Sequence, residues 1–258
     1  MDFFVQGSYI KATETNPLEW RRKAVQLTHK KSSGFLKNIH FDVQKIYSRP
    51  DLFAQNKNYF MVCNHMSYLD LIFLGSGEPS VFVTSVEMRD TPFLGDIAKL
   101  GGAYFVERRD RSKIPGEVKE LAELMRGGFN VFVFPEATST HGMHILPFKK
   151  AMFTAALEAQ VDILPICLRY EEVDGEPFNE HNKEKICWYG DMAFLPHFKN
   201  VMGLKQLKVT VTYLEPLSLA EYPDRTLLAE AAHQRISQHY FANRDASFKP
   251  WPTAIKVL

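Results

Sequence analysis

From residue 41 onward, short apolar runs alternate with helical stretches, and this alternation constrains the fold more than any other feature. Runs at 59–63, 80–86, 103–106, 130–134 and 162–169 are bounded by Gly, Pro or Asn. Helical stretches lie between them near 66–75, 91–100, 113–127 and 148–159. Runs of this length suit strands buried on both faces, and strand–helix succession builds a sheet whose strands run mostly the same way. The sequence therefore predicts an α/β fold: a mixed, largely parallel central sheet flanked by helices, with an N-terminal helical appendage. Further runs at 185–189 and 207–214 add strands, and 223–242 reads as a final helix capped near Asp224. The polar, Gly- and Pro-containing stretch 171–182 reads as a surface loop.

Residues 17–37 form one predicted helix, with Asn16 or Thr15 as cap and Pro17 in the first turn. Trp20, Ala24, Leu27 and Thr28 share one side, and Arg21, Arg22, Lys23, Lys30 and Lys31 crowd the rest; Ser32-Ser33-Gly34 marks an end near its second half. The first 50 residues carry nine Lys/Arg against four Asp/Glu, although the whole chain is only +1. A basic helix bearing a Trp suits a membrane interface, and equally a solvated helix packed on the domain. Residues 1–40 are thus a basic helical segment and a candidate membrane contact, and 41–258 the α/β domain. The tail Phe248-Lys249-Pro250-Trp251 is a second candidate contact. The near-neutral balance argues against nucleic acid as a partner. No signal peptide and no uninterrupted apolar window of membrane-spanning length are visible, so membrane contact is expected to be peripheral. Cys63, Cys167 and Cys187 lie in apolar runs without metal-ligand spacing and read as reduced core thiols of a cytosolic protein.

Chemistry concentrates at four places. Asn64-His65-Met66-Ser67-Tyr68-Leu69-Asp70 follows the run 59–63 and precedes Leu71-Ile72-Phe73-Leu74. Five positions on a continuous helix is about 140° of rotation, too far for contact, so a His65–Asp70 pair requires the helix to begin between them. Ser67 as N-cap would put Asp70 at N3, where a carboxylate suits the helix dipole and can hold one ring nitrogen of His65. Taken alone, the stretch is equally a capped turn. At the second place Gly102, Tyr104, Phe105 and Val106 lead into Arg108, Arg109, Arg111 and Lys113, a group fit to grip phosphate and equally a solvated turn of mixed charge. At the third, 131–134 runs into Pro135 and Glu136, a carboxylate at a strand's carboxyl end, where ligands meet α/β sheets; a turn cap is the alternative. The fourth is Pro165 in an apolar run, which suggests an edge strand or a strand start. His141 and His144 lack a carboxylate or Cys companion and read as loop residues, so no metal is expected.

Together the four resemble the ordered blocks of the glycerolipid acyltransferase superfamily, in particular bacterial 1-acyl-glycerol-3-phosphate acyltransferases. Those blocks read Asn-His-x4-Asp, Gly-x-x-Phe-x-x-Arg, Phe-Pro-Glu-Gly-Thr/Ser and a Pro in a strand. They are matched by Asn64, His65 and Asp70; Gly102, Phe105 and Arg108; Phe134, Pro135 and Glu136; and Pro165. The resemblance spans about residues 40–215. It implies acyl transfer from a thioester, acyl-CoA or acyl carrier protein, to the hydroxyl of a lyso-glycerolipid, by default 1-acyl-glycerol-3-phosphate. His65 would be the general base and Asp70 its orienting partner. Asn64, Arg108, Glu136, Arg111, Lys149, Gly102, Phe105, Pro135 and Pro165 would bind substrate. Glu136 would contact the acceptor or orient Arg108, and Pro92-Phe93-Leu94, Ile97 and the strand around Pro165 would line an acyl groove. No cofactor is implied, and the location expected is the cytoplasmic face of the inner membrane. Two departures stand out: Ala137 replaces the family's glycine, and Lys149-Lys150-Ala151 replaces its Lys-Gly pattern. Both bear on the acceptor, and a lyso-aminolipid such as lyso-ornithine lipid is the alternative. A non-catalytic lipid-binding protein is the reading from another class, and the intact His65/Asp70 pair speaks against it.

Overall fold

A computed structural model describes residues 2–39, 41–245 and 247–249. Its centre is an eight-stranded sheet of β1 (Phe41–Tyr47), β2 (Phe60–Cys63), β3 (Ser80–Ser85), β4 (Tyr104–Val106), β5 (Asn130–Val133), β6 (Ile163–Val173), β7 (Glu176–Pro177) and β8 (Leu207–Tyr213). The order is β1-β8-β6-β2-β5-β3-β4, with β7 paired to β6. Strands β6, β2, β5, β3 and β4 run parallel, while β8 meets β6 antiparallel and carries β1 alongside in its own direction. The sheet is therefore mixed and largely parallel, as the alternation predicts. All four residues of β2 and six of the first six of β6 are buried, which is why these strands read as continuous apolar runs rather than alternating ones.

The helices are α1 (Phe3–Thr13), α2 (Pro17–Lys37), α3 (Asp70–Gly75), α4 (Val86–Arg89), α5 (Leu94–Leu100), α6 (Ile114–Arg126), α7 (Phe153–Ala159), α8 (Phe194–Met202) and α9 (Arg225–Phe241). Helix α2 has the predicted bounds: the Asn16 side chain accepts from the Leu18 and Glu19 N–H groups, and Pro17 opens it. It runs through Ser32-Ser33-Gly34 without a break. Ala24, Val25 and Leu27 are buried on one side. Gly102 makes this fit possible. Its φ is +78°, and a Cβ there would meet the Ala24 Cβ at 3.1 Å. Asp224 caps α9 by accepting from the Thr226 and Leu227 N–H groups.

Two expectations need correction. The run 185–189 is not a strand: Ile186 and Cys187 are buried in a loop whose Trp188 N–H donates to the Met66 carbonyl. The stretch 171–182 is not all loop, because β6 continues to Val173 and turns into β7. Helices α1 and α8 and strand β1 have no counterpart in the sequence reading.

Candidate active site

Strands β2, β4 and β5 are parallel, so the segments that follow them emerge at one edge of the sheet. Asn64 comes first after β2. It is buried, and its side-chain amide completes a two-bond bridge with Leu168 of β6: Nδ2 donates to the Leu168 carbonyl and Oδ1 accepts from the Leu168 N–H, each at 2.9 Å. The amide thus acts like one more residue of ladder and anchors the start of the loop.

The loop then turns so that helix α3 begins at Asp70. Leu69 rather than Ser67 stands at its N-cap position, and the Ser67 hydroxyl accepts from the Leu69 N–H at 3.4 Å. Asp70, fully buried, reaches back, and its Oδ2 accepts from the N–H groups of Met66 at 2.7 Å and Ser67 at 3.0 Å. The same oxygen lies 2.8 Å from His65 Nδ1. A carboxylate surrounded by donors can only accept, so Nδ1 carries the proton and Nε2 presents its lone pair. The Tyr170 hydroxyl donates to the other oxygen, Oδ1, at 2.5 Å. The His65 ring lies flat against Phe134, centroids 3.9 Å apart. Phe134 in turn lies 5.4 Å from Phe132, which lies 5.0 Å from Phe82, a row of aromatic rings beside His65.

Glu136 holds the neighbouring loop. It is buried, and its two oxygens accept from the His65 N–H at 2.8 Å and the Leu146 N–H at 2.7 Å. Burial pushes its carboxyl up to about 8, against the opposing pull of the two N–H donors. Both oxygens are therefore engaged by backbone N–H groups of the neighbouring loops. Arg108 is instead oriented one residue further on: its Nη1 donates to the Ala137 carbonyl at 2.7 Å. Arg108 as a residue is exposed just past β4, but its guanidinium is partly desolvated, which lowers its pKa below the ordinary arginine value, and it keeps further N–H groups for an anion. Ala137 has φ +62°, the left-handed conformation that favours glycine. The family's usual glycine thus corresponds to a conformational requirement that this chain meets with alanine.

The remaining expected residues divide. Arg111 and Lys149 are exposed, and the Lys149 N–H donates to the carbonyl of buried Pro135. Phe105 is half-buried in β4, opposite Thr84. Gly102 packs against α2, not against a ligand space. Pro165 is buried inside the sheet between β2 and β8, not on an edge. Its carbonyl accepts from Leu214, one residue past β8, so its missing N–H falls where that ladder ends. It does not line a groove. Phe93 is half exposed in a tight turn with φ +67°, its ring 5.9 Å from Phe4 and 6.2 Å from Phe194. His141 and His144 stack edge-on at 4.5 Å, without a third metal ligand among the described residues. Tyr170, Thr140 and Trp188 had no motif to mark them. Thr140 donates its N–H to the His65 carbonyl at 2.9 Å and Trp188 to that of Met66 at 2.8 Å.

A family model described as Acyltransferase matches residues 44–169. A lyso-ornithine lipid O-acyltransferase of Brucella abortus is 31% identical over 183 residues, 68% of each chain. The chain belongs to this acyltransferase family. A 1-acyl-sn-glycerol-3-phosphate acyltransferase of Neisseria gonorrhoeae is 28% identical over 176 residues, 68% of this chain and 67% of that one. The crystal structure of the 1-acyl-sn-glycerophosphate (LPA) acyltransferase PlsC from Thermotoga maritima superposes with a TM-score of 0.63 over 93% of this chain and 90% of that one. At 17% identity it speaks for the fold alone. In this chain Asn64–Asp70, Arg108 and Phe134–Glu136 lie at the emergent edge of the sheet, while Gly102 precedes β4, Phe105 lies within it and Pro165 lies within β6.

Proposed function

We propose that this acyltransferase moves a fatty acyl group from a thioester to the hydroxyl of a lyso-lipid, with His65 as general base. The observation that supports this is the His65 Nδ1–Asp70 Oδ2 contact of 2.8 Å in a carboxylate held by backbone N–H groups. Nε2 takes the acceptor's hydroxyl proton as that oxygen attacks the thioester carbonyl. The new ester bond forms, the carbon–sulfur bond breaks, and the departing thiolate takes the proton from the imidazolium. Asp70 keeps the productive tautomer and balances the charge that forms on the ring. Arg108 receives the anionic part of the acceptor's head group, and the partly exposed rings of Phe134 and Phe82 receive apolar chain. The acyl donor, acyl-CoA or acyl carrier protein, is a co-substrate; the reaction so written uses no resident cofactor and no metal.

The first acceptor is 1-acyl-glycerol-3-phosphate, whose phosphate suits an Arg fork. The second is a lyso-aminolipid such as lyso-ornithine lipid. Two observations favour it: the 31% identical relative bears that name, and Ala137 stands where Arg108 is anchored. Docking is peripheral, on the cytoplasmic face of the inner membrane, with the basic N-terminal helices toward the lipid. No helix of the described residues is long and apolar enough to cross a membrane.

The test is thiol release by purified protein from coenzyme A and acyl carrier protein thioesters, each paired with phosphate, zwitterionic and amino-acid lyso-lipids. His65→Ala should lose about 10²–10⁴-fold in turnover while remaining folded. Near-normal turnover of that variant would remove His65 as base. Release confined to 1-acyl-glycerol-3-phosphate supports the first acceptor, and release only with the amino-acid lyso-lipid supports the second. No His65-dependent release from any pair would return the lipid-binding reading.

A further inference from the structure

Asp70 has two oxygens, and the family's blocks account for only one of them. Oδ2 faces His65 and the loop N–H groups; Oδ1 faces Tyr170. Tyr170 comes from β6, a hundred residues later in the chain. It is fully buried, with its ring edge-on to Phe73 at 6.2 Å and to Phe178 at 5.7 Å. Its carbonyl accepts from Arg244 Nη2 at 2.7 Å, and Arg244 is itself stacked over Phe248 at 4.7 Å and Tyr240 at 5.4 Å. The β6–β8 register slips between Tyr170 and Glu172. Irregularities of this kind re-aim a side chain beside active sites. Here the slip follows the one residue of β6 whose hydroxyl meets the catalytic carboxylate.

We propose that Tyr170 is a positioning residue for the His65–Asp70 pair: its hydroxyl fixes the rotation of the Asp70 carboxylate and sets how strongly that carboxylate supports the imidazolium. This rests on the reading of His65 as the base. The ring is wedged between two phenylalanines and the backbone is held by Arg244, and the hydroxyl's other hydrogen-bonding neighbour is the Ser67 side chain of the same loop. Burial keeps the phenol well above its ordinary range, so it remains a donor at working pH. The other titratable groups near Asp70 are the Cys63 and Cys187 thiols and the Glu136 carboxyl, and burial holds all three toward their protonated forms. Tyr170 is thus the side chain, besides His65, that bonds the Asp70 carboxylate among the described residues.

The logic gives opposite signs for two replacements. Removing the donor leaves more negative charge on Asp70, which holds the imidazolium more tightly. Strengthening the donor does the reverse. Tyr170→Phe should lower kcat on the order of tenfold, the usual scale for a hydrogen bond to a charged group, with acceptor and donor KM within about twofold. The acidic limb of its kcat/KM profile should move to higher pH. Replacement of Tyr170 by 3,5-difluorotyrosine keeps the shape and the bond but donates more strongly, so it folds even where Tyr170→Phe does not. Its acidic limb should move to lower pH. The proton resonance of His65 Nδ1–H, observed directly by NMR, should shift in both variants and vanish in His65→Ala. A profile and resonance that stay in place in the fluorinated enzyme would overturn the proposal, as would Tyr170→Phe with kcat within twofold of the parent. If His65→Ala turns over normally, the base reading fails and this proposal falls with it. An inactive His65→Ala beside an unaltered Tyr170→Phe overturns this proposal alone.

Discussion

Glu136 ties together two loops of the candidate site. Two backbone N–H groups from loops on either side of it, His65 and Leu146, share its carboxyl. Burial raises that carboxyl from 4.5 to about 8. A carboxyl raised in the folded state binds its proton more tightly there than in the unfolded chain. Its contribution to stability is therefore complete below about 4.5 and is lost as pH rises toward 8. In Glu136→Gln this dependence should disappear: the difference in urea midpoint between parent and variant should change between pH 5 and pH 8.5. At pH 5 the variant should be the weaker of the two, because an amide offers only one acceptor to two buried N–H groups, and that deficit should shrink or reverse toward pH 8.5 as the parent loses the stability tied to its proton. The unsatisfied donor costs about 1–3 kcal/mol. Parallel stability curves for the two proteins would show that Glu136 does not titrate across this range. Ala137, next in the chain, makes a separate prediction. Its left-handed backbone is strained by roughly 1–2 kcal/mol for a residue with a Cβ. Glycine relieves that strain but gives the unfolded chain about 0.4–1 kcal/mol of extra freedom. Ala137→Gly should therefore stabilise by a net of about 0.5–1 kcal/mol in urea unfolding, and any loss of stability would mean that the turn is not strained.

At the scale of elements, the junction of β2 and α3 is held by Asn64, which extends the β2–β6 pairing past the last residue of the strand. Asn64→Ala would leave both the Leu168 N–H and its carbonyl buried without that partner, at about 2–5 kcal/mol for the two. Urea unfolding with an unchanged slope is the measurement, and a loss below about 1 kcal/mol would show that the bridge is dispensable. The same junction shows what was legible beforehand. Helices α2 and α9 were readable to their first residues because Asn16, Pro17 and Asp224 are caps, and caps act within three residues. The start of α3 was misplaced because Asp70 is recruited backwards by the loop N–H groups, a choice decided by burial beneath Tyr170 rather than by local propensity. Ile186 and Cys187 looked like a strand because they are buried, but they lie in a loop whose next residue, Trp188, donates to the Met66 carbonyl beside His65. The motif residues were all visible, while their division into anchors and chemistry was not. Asn64, Gly102, Glu136 and Pro165 are engaged by backbone or by α2, and that shows only when Leu168, Leu146, Ala24 and Leu214 are brought beside them.

On the scale of the whole molecule, the N-terminal helices serve the fold as well as any surface. Ala24, Val25 and Leu27 are buried, and Gly7 approaches Leu100 so closely that a Cβ would lie 3.0 Å from its Cβ. Deleting this segment would uncover the face of the molecule against which it packs and would confuse stability with lipid binding. Point changes separate the two. Val5 and Tyr9 lie one turn apart on α1, 55% and 68% exposed, and Leu18 begins α2 at 49%. The tail is the weaker candidate: Phe248 is buried beside Phe178 and Tyr240, while Pro250 and Trp251 lie outside the described residues. If α1 and the start of α2 face the bilayer, the triple variant Val5→Ser, Tyr9→Ser, Leu18→Ser removes apolar surface worth on the order of 1 kcal/mol or more per residue. Its affinity for anionic vesicles should fall at least about tenfold, with unfolding midpoint and turnover on detergent-dispersed substrate unchanged. Undiminished vesicle binding would move the docking face elsewhere. The next surface to change would then be α8, where Leu195 and Met202 are 72% and 50% exposed and Phe194 and Phe198 lead inward to Tyr68 of the loop between His65 and Asp70.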